Sequence, residues 1–79
     1  PVISKTISLI TIESEIAKSL KLIQENNEDV DIGSYPFFRA GKLGVSIVLR
    51  CPDINKIEKC NLEILNFLKD KKIEILENI

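Results

Sequence analysis

β-Branched residues crowd the first stretch of the chain, Val2 to Ile12, where Ile7 and Leu9 share one parity and Ile10 and Ile12 the other. That pattern predicts a strand covered on at least one face, and its length suits a central place in a sheet. The period then changes. Ile16, Leu20 and Ile23 recur at helical spacing with Ala17 beside them, while Lys18, Lys21, Gln24 and Glu25 take the other side. Glu13-Ser14-Glu15 supplies a capping hydroxyl and first-turn acids, and Asn26-Asn27-Glu28-Asp29 makes a polar stop. A helix is predicted between them.

Strand-like alternation resumes from Val30 to Tyr35, with Val30 and Ile32 inward and Asp31 outward. Pro36 lacks an N–H, so it either ends that ladder or marks a sheet edge. Residues 37–44, with two glycines, are predicted to form a loop. Val45, Ile47 and Leu49 then share one face of a strand that runs to Arg50. Asp53 is a good N-cap for a second helix, whose inner stripe is Ile54, Ile57, Ile64, Leu65 and Leu68. Cations in Lys69-Asp70-Lys71-Lys72 suit its C-terminal end, and Ile73 to Leu76 is predicted to be a short last strand.

The predicted order is β-α-β-β-α-β. Two right-handed βαβ units around a hairpin give an α+β, two-layer ferredoxin-like plait, an antiparallel sheet with both helices on one face. Without the last strand, β-α-β-β-α remains, a KH-like shape. One sheet face is left without helices, and Ile10, Ile12 and Val48 have the parity to project there. A parity slip across a bulge would turn them inward instead. Exposed apolar area on so small a domain suits docking of the rest of a parent chain or a second subunit.

Composition narrows the chemistry. The chain has 79 residues, one domain's worth, and a net charge of −1, which lacks the basic footprint of a nucleic-acid-binding module. His is absent, which removes the commonest general base and metal ligand. Cys51 and Cys60 cannot make a zinc site without partners, and they are expected to be reduced, Cys60 as core filler. No apolar run approaches the roughly 20 residues of a membrane span, and no signal peptide is visible. With Met absent and Pro first, the chain is expected to be a piece of a longer protein. No catalytic residue is assigned: Ser14 and Ser34 have no His to activate them, and Glu13 and Glu15 suit the helix dipole.

Charge is uneven along the chain. Residues 39–50 carry +3 through Arg39, Lys42 and Arg50 with no acid, while residues 1–38 carry −3 and residues 51–79 carry −1. The cationic window overlaps the glycines, and glycine N–H groups beside Arg and Lys can cradle a phosphate. Tyr35, Phe37 and Phe38 could offer a flat surface to an adenine or isoalloxazine ring. Candidate cofactor-contacting residues are therefore Gly33, Ser34, Tyr35, Arg39 and Lys42. The competing reading is structural: hairpin glycines supply positive φ, aromatics complete a core, and loop cations are solvated. Gly41-Lys42-Leu43-Gly44 matches neither the dinucleotide fingerprint nor the P-loop spacing.

One string carries more. Asp31-Ile32-Gly33-Ser34-Tyr35-Pro36, then Gly44 to Arg50, then Pro52-Asp53, preceded by Glu13 to Leu20, resembles a specific domain. It is similar to the small α+β domain that follows the molybdopterin-binding-like domain in eukaryotic FAD synthases and CinA-type proteins. The resemblance covers roughly residues 3 to 70. Phe37-Phe38-Arg39 departs from relatives that place an acid and a Trp after the Pro.

The resemblance implies an accessory, non-catalytic role beside catalytic domains of the same parent chain. The parent's reaction would be ATP-dependent adenylylation of FMN to FAD, or pyrophosphate hydrolysis on FAD or ADP-ribose. FMN or FAD, ATP and Mg²⁺ would belong to the parent, with no cofactor held by this piece alone. A cytoplasmic location, no nucleic acid and no membrane partner follow the same expectation. A free-standing ligand-binding or RNA-binding module, or a homo-oligomerisation module, is the alternative.

Overall fold

The computed structural model describes all 79 residues as six elements. In chain order they are β1 (Ile3–Ile10), α1 (Glu13–Asn26), β2 (Asp31–Arg39), β3 (Lys42–Cys51), α2 (Ile54–Lys71) and β4 (Glu74–Asn78). The strands form one antiparallel sheet in the order β2-β3-β1-β4, so β1 is central as its length suggested. This is the ferredoxin-like plait. The last strand is formed and pairs with β1, which sets the KH-like alternative aside.

Both helices cover one face of the sheet. Ile7 and Leu9 of β1 and Val45, Ile47 and Leu49 of β3 are fully buried there. Ile16 of α1 and Ile57, Cys60, Ile64 and Leu68 of α2 meet them in one core of 14 residues. Ile54, predicted for that stripe, is exposed, and Leu65 is half-buried, because the α2 stripe is narrower than its apolar residues. Both cysteines are free and buried. Burial of the Cys60 thiol pushes its pKa up to about 11.

The start of α1 departs from expectation, and both ends of α2 meet it. Ile12, not Ser14, is the N-cap of α1 and offers no side-chain bond, while Asp53 caps α2 by accepting from the Asn55 N–H at 2.9 Å. The cation cluster closes α2 as expected, with Lys69 and Lys71 in its last turn and Lys72 at φ 58° after it. Asn61 and Asn78 exchange amide hydrogen bonds at 3.1 and 3.3 Å, which pins β4 to α2. No buried side-chain nitrogen or oxygen lacks a partner.

The largest correction is to residues 37–44. They form no loop: β2 and β3 continue to Arg39 and Lys42 and are joined by a two-residue turn, Ala40-Gly41. Both turn residues have positive φ, 51° and 77°, the signature of the hairpin turn whose twist matches its strands. Pro36 is tolerated because β2 is an edge strand. The Ile32 N–H bonds outward to Gln24 Oε1 at 3.3 Å, and alternation along the ladder points position 36 outward too, where no N–H is needed. Gln24 also donates to the Val30 carbonyl at 2.7 Å, so α1 covers the start of that edge.

Candidate functional site

Register assigns every strand residue to a face. Partners of the buried Ile7, Leu9, Val45, Ile47 and Leu49 face the helices; the alternate residues face away. On the open face β2 therefore places Asp31, Gly33, Tyr35, Phe37 and Arg39, and β3 places Lys42, Gly44, Ser46, Val48 and Arg50. β1 adds Ser4, Thr6, Ser8 and Ile10, and β4 adds Glu74 and Glu77. Ile10 and Val48 do project there, half-buried, as their parity predicted. Ile12 lies beyond the end of β1 and takes no part in the face.

Four of the five candidate residues, Gly33, Tyr35, Arg39 and Lys42, share this open face. Ser34 does not. It lies on the helix side, where its hydroxyl donates to Glu13 Oε1 at 2.6 Å and ties β2 to the start of α1. Ser34 lines a shallow hollow of about 260 Å³ between α1 and β2, and the other four line none of the three hollows in the surface. No group of three or more Cys, Asp or Glu is placed to hold a metal ion.

The aromatics on the open face are laid flat by glycine. A Cβ on Gly44 would lie 2.2 Å from the Phe37 ring and 2.5 Å from the Leu9 carbonyl oxygen, so the Phe37 ring covers bare backbone there. The Tyr35 ring folds over Gly33 in the same way, its hydroxyl 2.8 Å from where a Cβ would be. Arg39 completes the stack with its guanidinium 4.4 Å from the centre of the Phe37 ring. Phe38 has the opposite parity and is exposed.

Gly33 has no N–H to offer a phosphate. Because the Ile32 N–H points out of the sheet, the Gly33 N–H points into the ladder toward β3 and is unavailable to an anion. What remains is one exposed Tyr ring, a guanidinium on Phe37 and the Lys42 ammonium, arranged on a plane. Such a plane suits contact with another surface better than enclosure of a small molecule.

Sequence reasoning missed Ser8, Ser46 and Glu77, which meet at the centre of this face. The Ser8 hydroxyl lies 3.0 Å from that of Ser46 and 3.4 Å from Glu77 Oε1. Alternation through residues 31–39 was the signal available for placing Phe37 and Arg39, and Pro36 masked it.

Comparison with known proteins now adds the family. The one described as FAD synthase, middle domain, matches residues 1–77. This chain belongs to that family. No curated protein matches it significantly. Among solved structures the chain is similar to the de novo designed protein Foldit4, at 24% identity and a TM-score of 0.69. That likeness covers 99% of this chain and 92% of the designed one, and it shows the fold alone. A de novo designed sequence reaching the same plait fits the physical account above, in which two apolar helix stripes and one apolar sheet face suffice. No helix of this middle domain is long and apolar enough to cross a membrane.

Proposed function

We propose that the chain serves an FAD synthase as a non-catalytic accessory domain. On this reading, adenylylation of FMN by ATP and Mg²⁺ belongs to neighbouring domains of the parent. The supporting observation is the flatness of the candidate site. Gly33, Tyr35, Arg39 and Lys42 share a sheet face that encloses no volume, and the Gly33 N–H is held in the ladder. The four residues then act as contact positions on a docking surface.

Two measurements test this. The 79-residue chain, given FMN, ATP and Mg²⁺, is expected to form no FAD and to give no saturable heat with either nucleotide in calorimetry. Turnover by the isolated chain would overturn the reading. In the full-length parent, replacing Arg39 and Lys42 together by Ala should leave KM for FMN and ATP within about twofold, since neither residue is assigned to substrate. A large rise in KM would instead make the hairpin tip an edge of the substrate site.

A further inference from the structure

The open face carries a charge pattern that is complementary to itself. Register sets its residues in rows across the strands. Tyr35, Ser46, Ser8 and Glu77 are level with one another. In the next row Phe37 and Gly44 are level, and Ile10 and Glu74 are level. The Leu9–Val45 pairing aligns these two pairs with each other. Arg39 lays its guanidinium over Phe37 and so brings its charge into that row. In these two rows aromatic and cationic groups thus occupy the β2 edge, carboxylates occupy the β4 edge, and hydroxyl and aliphatic groups lie between, while Asp31, Lys42 and Arg50 lie outside them at the ends of β2 and β3.

We propose that two copies of this chain pair through their open faces, about a two-fold axis running along the strands between β3 and β1. That operation lays β2 of one copy over β4 of the other. It sets Arg39 against Glu74 of the second copy twice over, as an isologous contact requires. The middle of the interface is then Ser8 and Ser46, flanked by Val48, Thr6 and Ile10, from both copies. A two-fold axis across the strands is worse, because it brings Lys42 over Arg50 of the second copy. The chosen axis superposes no like charges. Antiparallel sheets stack face to face with their strands roughly aligned, so the arrangement is ordinary for two sheets.

Area agrees with a modest association. Four strands of 8, 9, 10 and 5 residues, at ~3.4 Å per residue and spaced ~4.8 Å apart, give a face of roughly 500 Å². A stable interface buries about 800 Å² per partner, so this one belongs at the small end, with affinity in the micromolar range or weaker. The inference stands apart from the parent's reaction: a catalytic result in either direction leaves it untouched, and its failure leaves the accessory role intact.

Sedimentation equilibrium of the chain, from about 10 µM to about 1 mM, tests the proposal. The expected result is a mass rising from monomer toward dimer, with the rise weakened by salt. Arg39→Glu and Glu74→Arg, both at exposed positions, should each weaken association roughly tenfold, and the two together should restore it. Far-UV circular dichroism confirms that each variant is folded. Concentration-dependent amide shifts should fall on Thr6, Val48 and Tyr35 and spare both helices. A monomer at the highest concentration overturns the proposal. So do shifts confined to the helices, or a double reversal that fails to recover what the single reversals lose.

Discussion

The two faces of this sheet are made from alternate residues of the same strands, yet they are assembled by different means. On the covered face, Ile7, Leu9, Val45, Ile47 and Leu49 reach 0% exposure because two helices bring matching aliphatic residues onto them. Removal of apolar area from water holds that side together, at roughly 25 cal/mol per Å². The open face has no second layer. It shields itself with its own rings, Phe37 over Gly44 and Tyr35 over Gly33, and with hydroxyls bonded across strands at Ser8 and Ser46. Packing alternatives there are few but the energy at stake is small. Stability therefore concentrates on one face, which leaves the other free to carry charge for recognition.

That contrast can be broken or sharpened by substitution. Ile47→Ala removes a side chain from the centre of the covered face, and a loss of about 2–5 kcal/mol in urea denaturation is expected. Against the roughly 5–15 kcal/mol by which native domains are stable, that is a large share, and the urea midpoint should fall sharply. A loss below about 1 kcal/mol would mean that the core is not where the energy lies.

Gly44→Ala probes the open face at its tightest point and should cost about 1–3 kcal/mol, because a methyl group there meets the Phe37 ring. Adding Phe37→Ala should recover only part of the loss, since the Leu9 carbonyl oxygen stands 2.5 Å from the new carbon and cannot move aside. Full recovery would show that the ring alone demands glycine.

A smaller effect should appear with pH. Below pH 9 the Cys60 thiol keeps its proton in both folded and unfolded chains. Between its ordinary value of 9.0 and its folded value of about 11, the unfolded chain gives up that proton and the buried thiol does not. Stability should therefore fall as pH rises through this window, and the slope should flatten in Cys60→Ala. An identical slope in the variant would place the titration elsewhere.

Most of the covered face was legible from periodicity. The stripes Ile16-Leu20-Ile23 and Ile57-Ile64-Leu68 and the alternation of Val45, Ile47 and Leu49 all proved to be core. The hairpin was not. Residues 37–44 combine two glycines, follow a proline and match a loop by local chemistry, whereas the strands continue because Phe37, Phe38 and Arg39 pair with Gly44, Leu43 and Lys42. Ser34 likewise looked continuous with Gly33 and Tyr35, but adjacent strand residues point to opposite faces, and Glu13 holds its hydroxyl on the helix side. Ser14 lost the capping role because the helix starts at Glu13, two residues earlier than its hydroxyl would require.

Local patterning by itself determined the element order, the helix stripes and the apolar sheet face, since each depends on spacings within a few residues. Tertiary structure alone decided that β2 is an edge, which is what makes Pro36 acceptable, and that Tyr35, Ser46, Ser8 and Glu77 stand in one row. Ser8 meets Ser46 and Glu77 across 38 and 69 residues of chain. Register at such separations comes from strand pairing and helix packing acting together, and no short stretch of sequence contains it.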